Sequence, residues 1–447
     1  MKRTLEAELV RWKNNTLRLP LILRGARQVG KSYLIESFGK AHFQSLHVLN
    51  FEFEPQLKTC FESNDPSRII ASLEVVLNTS IIPGQSLLFL DEIQECPKAL
   101  IALRYFKEKL PELHIIGAGS LLEFTLREEA FSFPVGRVQF LYLKPFSFYE
   151  FIIGIKEDKL AQSLVESSIL PPPPQAIHDY AMSLFRKYLF IGGMPAAIQT
   201  FTERQSFLDT KRVHQVLLQS YQADFGKYAT KAQHKYLQRF FEKAPAIVGQ
   251  HFKYVEVDSE ARARDLKVAL QQLTWSGLIH PIYETHASGI PLQSQIDEKK
   301  FKLLFLDIGL LQTAGKIDPQ TIFEEEIIQI RSGALAEQLV GQELLAYSDS
   351  YEPPQLYFWK RENKNSKAEV DYVVQIGTHI IPLEVKSGKT GHLKSLHRFM
   401  EDKKSPLGVK VSGAELSLEK NILSVPFYLI HQLPRLIQEA IGLCTLR

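Results

Sequence analysis

Gly25-Ala26-Arg27-Gln28-Val29-Gly30-Lys31-Ser32 keeps the spacing G-x-x-x-x-G-K-[ST], in which glycines let a loop curl until successive N–H groups face an anion. In such a loop Lys31 reaches the β and γ oxygens of a triphosphate such as ATP, and Ser32 holds magnesium. Farther on, the apolar run Leu87-Leu88-Phe89-Leu90 ends in Asp91 and Glu92. Neighbouring strand residues point opposite ways, so the two acids can divide the labour. Asp91 suits the metal shell, and Glu92 suits orienting and deprotonating an attacking water. Gly117-Ala118-Gly119-Ser120 offers Ser120 either as a polar sensor of the γ-phosphate or as a plain helix cap. Arg137 is either a neutraliser of transition-state charge, in cis or from a neighbouring copy, or an ordinary surface arginine.

A second constellation is Asp371 with Glu384-Val385-Lys386. Glu384 and Lys386 share one face of a strand, and a hairpin through Ile376-Gly377-Thr378 brings Asp371 alongside. Two carboxylates and an amine suit magnesium and a water activated for attack on a phosphodiester, with Glu337 on the preceding helix as a further acid. Charges alternating on strands also make solvated ion pairs, so an active nuclease and a structural or nucleic-acid-binding relic both stay open. Lys386, Lys389, Lys394, Arg398, Lys403, Lys404 and Lys410 stand against only Glu401 and Asp402. Such a stretch, 386–410, could track a DNA backbone or simply form a solvated basic face.

The elements that must position these groups are legible as patterns. Five short apolar runs, at 19–23, 46–51, 86–91, 113–117 and 138–143, alternate with helical spacing such as Ile69, Ile70, Leu73, Val76 and Leu77, which predicts a parallel α/β sheet. Walker-type motifs on such a sheet define a P-loop NTPase core. Pro171-Pro172-Pro173-Pro174 interrupts a helical stretch and predicts a surface loop within a helical lid, and Gly192-Gly193-Met194-Pro195 breaks the helical region 177–245. A helix from Ala261 to Gly277, then apolar runs at 278–282 and 301–306, predicts a winged helix. Its Arg262, Arg264 and Lys267 are candidate non-specific DNA contacts. From about 333 a helix and strands at 355–359, 369–376 and 379–386 predict a separate α/β domain.

The chain has 447 residues, more than one core usually serves. Hydrophobic residues at 45% and charged residues at 23% exclude a disordered or membrane-embedded class. A formal charge of +3 is too mild to indicate a polyanion partner by itself. Cys60, Cys96 and Cys444 lack pairing spacing, the basic start has no apolar stretch behind it, and apolar runs are too short for a bilayer. The expectation is a cytoplasmic protein with no membrane segment.

In combination, Gly25–Ser32, Leu90-Asp91-Glu92-Ile93-Gln94, Gly117–Leu122, Gly136-Arg137, Leu143-Lys144-Pro145-Phe146-Ser147-Phe148, Gly192-Gly193-Met194-Pro195, Phe305-Leu306-Asp307-Ile308-Gly309-Leu310-Leu311 and Glu384-Val385-Lys386-Ser387-Gly388 resemble one family. It comprises bacterial and archaeal AAA-type ATPases with a C-terminal domain of uncharacterised function. The resemblance implies an AAA-type core over 1–150, a helical lid over 151–245, a winged-helix segment over 246–332 and a restriction-endonuclease-like α/β domain over 333–447. It also implies that Gly193 and Pro195 lie near the nucleotide base. The Pro-rich insertion departs from the family pattern. The leading expectation is a magnesium-dependent ATPase coupled to a nuclease-like, DNA-binding tail. The alternatives are a nucleotide-dependent switch for protein partners with a dead tail, and a nuclease for which ATP is structural. A homo-oligomer is compatible with each.

Overall fold

The computed structural model describes residues 1–126, 136–317, 325–362, 368–388 and 392–445, the side chains at 228, 232 and 325–332 excepted. Five strands form the first sheet: β1 (Leu21–Arg24), β2 (Ser45–Asn50), β3 (Ser86–Asp91), β4 (His114–Ala118) and β5 (Gln139–Tyr142). Their order is β2-β3-β4-β1-β5, with every pairing parallel. Each expected run became a strand, shifted by two residues at most. β3 and β4 are buried along their whole length, because crossover helices cover both faces of a parallel sheet. Helices Lys31–His42, Pro66–Leu77 and Pro97–Lys109 make those crossovers. Two of them begin with proline, whose missing N–H costs nothing at that position.

This order puts the ends of β1, β3 and β4 side by side, and in such sheets ligands bind at the carboxyl ends of strands. Asp91 is in register with Asn50 on one side and Ala118 on the other. Gly25 to Gly30 leave the end of β1 and enter helix Lys31–His42.

Past β5, helices run from Phe148 to Val257. The first is fixed by reciprocal bonds between Ser147 and Glu150, a capping box. The prolines of 171–174 are mostly exposed and precede helix Gln175–Ile191, as the loop expectation requires. That helix stops at Gly192, whose φ of +69° few other residues adopt. Helix Phe207–Tyr228 then crosses toward the P-loop.

The second sheet has eight strands: β6 (Ile279–Thr285), β7 (Ile296–Phe305), β8 (Leu356–Lys360), β9 (Glu369–Ile376), β10 (His379–Val385), β11 (Gly408–Ser412), β12 (Ser417–Glu419) and β13 (Ile422–Pro426). Its order is β12-β13-β11-β10-β9-β8-β6-β7. The hairpin β6–β7 follows helix Ala263–Trp275 as a wing would, yet it is also the edge of the terminal sheet. Ile282, Tyr283 and Glu284 pair in parallel with Leu356, Tyr357 and Phe358. Segments 246–332 and 333–447 therefore share one sheet, which the sequence patterns did not separate from two adjacent domains. The reason is burial. The last five residues of β7 are fully buried, so that strand needs cover that a free-standing wing lacks.

Helix Glu325–Ala346 supplies much of that cover. Its buried polar residues Gln338, Gln342 and Glu343 are all hydrogen-bonded, to backbone and to the side chains of Tyr188 and Asp307. Gln338 exchanges 2.8 Å bonds with Phe305 N and O, Gln342 accepts from Ile308 N at 2.8 Å, and Glu343 accepts from Phe148 N at 2.9 Å. Most buried amides and acids in a core are paired in this way. One apolar core accordingly runs from a face of the first sheet through the helices into the second sheet, while a separate cluster covers the opposite face of the first. Among the described residues no helix is long and apolar enough to cross a membrane.

Candidate functional site

Gly25 has φ +148°, and a Cβ there would stand 2.3 Å from the carbonyl oxygen of Leu143. Only glycine lets the loop pass so close to the end of β5. Gly30, at φ +97°, turns the chain into helix Lys31–His42. The Lys31 ammonium folds over the loop and donates to Gly25 O at 3.0 Å and Ala26 O at 2.9 Å. Burial pulls its pKa down to about 8, against the opposing pull of Glu92 and then Asp91.

Ser32 Oγ lies 3.1 Å from both carboxylate oxygens of Asp91. Asn50 Nδ2 donates to Asp91 Oδ2 at 3.1 Å, so β2 helps to aim the acid at the hydroxyl. Burial raises the Asp91 pKa, and the charge of Glu92 adds to that. Glu92 takes a left-handed backbone, φ +48°. Its Oε2 accepts from Gln94 Nε2 at 2.7 Å and from Ser120 N at 3.4 Å. Ser120 is thus beside Glu92, bound through its backbone.

These residues fit a magnesium nucleotide. Glycine at 25 lets the loop pass Leu143 O where a Cβ would collide, and a hydroxyl and a carboxylate already face each other at oxygen-ligand spacing. Among the described residues no three His, Cys, Asp or Glu side chains gather as a metal cage. Magnesium held by one or two protein oxygens plus phosphates needs no cage.

The loop is gripped from two further directions. Helix Phe207–Tyr228 contributes Asp224, ion-paired with Arg27, Tyr221, whose hydroxyl donates to Arg27 O at 2.9 Å, and Ser220, which accepts from Gln28 Nε2 at 3.2 Å. Arg3 donates to Val29 O at 3.1 Å and Lys144 O at 2.6 Å, and pairs with Glu150 at 3.1 Å. Neither set was anticipated. Arg3 sits in a basic leader with no motif, and Asp224 lies nearly two hundred residues from its partner in sequence, about the separation of positions 27 and 224.

Of the pair Gly193 and Pro195, Pro195 touches the loop and Gly193 packs on Phe146. Pro195 Cγ is 3.5 Å from the position a Cβ on Gly30 would take, and Gly193 O accepts from Phe146 N at 2.7 Å. Asp307 Oδ2 accepts from Gly193 N at 2.6 Å, tying the turn to the start of helix Ile308–Ala314. Arg137 does not reach it. β5 runs parallel to β1, so a residue before β5 lies at the amino edge of the sheet, opposite the loop. There Arg137 is half exposed and pairs with Glu108 at 3.6 Å. A role in cis is thereby corrected by strand direction.

The second constellation also assembles. Asp371 Oδ2 accepts from Val385 N at 2.7 Å, beside Glu384, and Lys386 Nζ meets Glu384 Oε1 at 2.6 Å. Glu384 Oε2 is buried with no hydrogen-bond partner among the described residues. Burial, then the charge of Asp371, pushes Glu337 and Glu384 each up to about 7. Lys302 of β7, 4% exposed, stands 2.6 Å from Glu369 and 3.5 Å from Glu337. Burial works against its charge, but Glu337 and Glu369 outweigh it and hold its pKa above the ordinary value. His251 closes the row, 2.6 Å from Glu369. Lys302 and His251 come from outside the expected terminal domain, so spacing within that domain gave no sign of them.

The basic stretch is less free than its composition implies. Arg398 pairs with Glu401 at 3.1 Å and Asp402 at 3.3 Å, Lys386 with Glu384, and Lys403 donates to Ser288 at 3.0 Å. Lys389 lies outside the described residues. Arg262, Arg264 and Lys267 are exposed.

Residues 18–152 match the AAA domain family, residues 182–321 a domain of unknown function (DUF8612) and residues 332–428 another (DUF4143). No curated protein matches the chain. Among solved structures, the ORC2 protein of Aeropyrum pernix is 12% identical, with 73% of this chain and 96% of that one covered and a TM-score of 0.32. RuvB of Thermotoga maritima is 18% identical, covering 62% and 86% with a TM-score of 0.29, and DnaA of Aquifex aeolicus is 14% identical, covering 61% and 86% with a TM-score of 0.26. The assignment rests instead on the loop geometry and the family match. Together they identify residues 18–152 as an AAA-type P-loop ATPase domain, a nucleotide-binding unit.

Proposed function

We propose that the chain is a magnesium-dependent ATPase whose site is built from Gly25 to Ser32, Asp91, Glu92 and Ser120. The observation that carries this is the meeting of Ser32 and Asp91 at the foot of the glycine loop. Bound magnesium would be held by Ser32 Oγ and Asp91 and would draw charge from the phosphate oxygens. The loop amides of Gly25, Ala26, Arg27, Gln28, Val29 and Gly30 and the start of the following helix hold the phosphates. Lys31 moves its ammonium from the Gly25 and Ala26 carbonyls to the β and γ oxygens. Glu92 orients a water and takes its proton, and Ser120 marks the γ-phosphate position. Gly193 and Pro195 close over the nucleotide with the lid. Arg137 is left to a neighbouring copy in a homo-oligomer. Steady-state phosphate release with ATP and magnesium tests the proposal: wild type turns over, and Glu92→Gln loses at least ~100-fold in kcat while still binding ATP.

A second activity is favoured by one observation, the proximity of Asp371, Glu384 and Lys386 at the β9–β10 pairing, with Glu337 of the covering helix close enough to feel the charge of Asp371. Acids so placed, one with an unpartnered buried oxygen, suit a nuclease-like site in a restriction-endonuclease-like tail, with DNA reached through the exposed Arg262, Arg264 and Lys267. In that division 1–150 is the motor, 151–245 its lid, and 246–332 with 333–447 the DNA-facing part. Supercoiled plasmid is cleaved by wild type and not by Asp371→Ala if the tail is a nuclease. Equal outcomes leave it as the inert part of a nucleotide-dependent switch for protein partners.

A further inference from the structure

Gln94 ends the motif Leu90–Gln94 without a role of its own in the site above, yet it is the side chain most directly bound to the proposed base. Its Nε2 donates to Glu92 Oε2 at 2.7 Å. The amide cannot be reversed, because that would set its oxygen against a carboxylate oxygen. With Nε2 so committed, Oε1 is buried and has no hydrogen-bond partner among the described residues. It points at Gly119, where a Cβ would stand only 1.9 Å from Oε1. The glycine is thus required by the glutamine, although the two lie in different motifs on neighbouring strand ends.

Glu92 itself is held in a left-handed backbone, φ +48°, which aims its side chain away from the path a strand residue would take. Gln94, in the turn after β3, and Ser120 N, just past the end of β4, hold the carboxylate from two sides. The direction chosen matters to the loop: Glu92 acts on the Lys31 ammonium more strongly than Asp91 does, and it also acts on Arg27.

We infer that Gln94, seated on Gly119, is the positioning residue that aims Glu92 at the attacking water of the ATPase. The inference rests on the ATPase reading. Gln94 touches neither phosphate nor metal; it fixes where the base can receive a proton, and Gly119 fixes Gln94. The pair Glu92–Gln94 and the turn Gly117–Ser120 therefore form one device rather than two independent motifs.

The test is a double-substitution cycle on the full chain, with kcat measured by phosphate release and ATP affinity by titration. Gln94→Ala and the similarly sized Gln94→Met are each expected to lower kcat by roughly 10- to 100-fold with ATP affinity within about twofold of wild type. Gly119→Ala, which must displace the amide, is expected to do the same, and combining it with Gln94→Ala should cost no further activity. A kcat within twofold of wild type for Gln94→Ala overturns the inference. So does full additivity of the two losses, or a fall in ATP affinity that accounts for the lost rate. A wild-type chain without turnover overturns the ATPase reading beneath it and is told apart by needing no variant.

Discussion

Ser32 Oγ sits 3.1 Å from each carboxylate oxygen of Asp91, across the gap between the P-loop helix and the end of β3. Asn50 and the Glu92 amide also hold Asp91, yet neither bond calls for a hydroxyl opposite it. The hydroxyl is in the first turn of its helix, where it could face solvent, and burial raises the pKa of Asp91, which an uncharged residue would avoid. Ser32→Ala should keep the fold and weaken ATP binding in magnesium by about tenfold or more, with little change in the absence of magnesium. Equal affinities with and without the ion in both proteins would remove the metal role.

The turn at Gly193 is a steric prediction. A Cβ there would be 2.1 Å from Phe146 O and 2.8 Å from Phe146 N, both backbone atoms that cannot swing aside. Gly193→Ala should therefore lift Pro195 off Gly30 and cost about 3 kcal/mol or more, seen as a lower urea midpoint. Gly226→Ala, with nothing within 4 Å of its Cβ, is the control and should be neutral or slightly stabilising.

Glu343 gives a pH prediction. Burial raises its pKa to about 8, so around neutral pH the folded protein largely keeps the proton that the unfolded chain has released. A carboxyl raised in this way stabilises fully below its unfolded pKa, near 4.5, and that contribution is lost as pH rises through about 8. Glu343→Gln mimics the protonated acid and keeps an acceptor for Phe148 N. Its Tm should exceed that of wild type by a margin that grows between about pH 5 and pH 9. Parallel Tm curves would show that Glu343 does not titrate there.

Lys302 tests the tail cluster. It is the buried cation between Glu337 and Glu369, with His251 behind. Lys302→Ala leaves two partly buried acids without it and should destabilise by about 3 kcal/mol. Lys403→Ala, on the surface, should cost under about 0.5 kcal/mol. Similar unfolding curves for the two variants would mean that the cluster does not depend on its lysine.

How much of this the chain announces depends on the range of the interaction. The phosphate loop, the acids of β3 and the five strands are written in local spacing, and all took the expected places. Asp371 and Glu384 could be paired because a short hairpin fixes their register. Asn50 could have been found by aligning the ends of β2 and β3. Asp224, Tyr221 and Arg3 could not, since nothing local to them encodes a partner across the fold. For Arg137 the expected parallel sheet already held the answer, since a residue that precedes β5 must lie at the end opposite a loop that follows β1. The hairpin β6–β7 was assigned by what precedes it, while its place in the sheet is decided by a pairing with β8 across some seventy residues of chain, as the partners Tyr283 and Tyr357 show. Gln94 carries no role in local spacing; its bond to Glu92 depends on the left-handed backbone at Glu92 itself, which spacing does not reveal.

The most direct measurement is a calorimetric titration of ATP with magnesium into the purified full chain and into Lys31→Ala. The account predicts one site per chain for wild type and an affinity at least ~100-fold weaker for the variant, since the loop would lose its one ammonium aimed at the phosphates. Equal heats for the two proteins, or none for wild type, would contradict it.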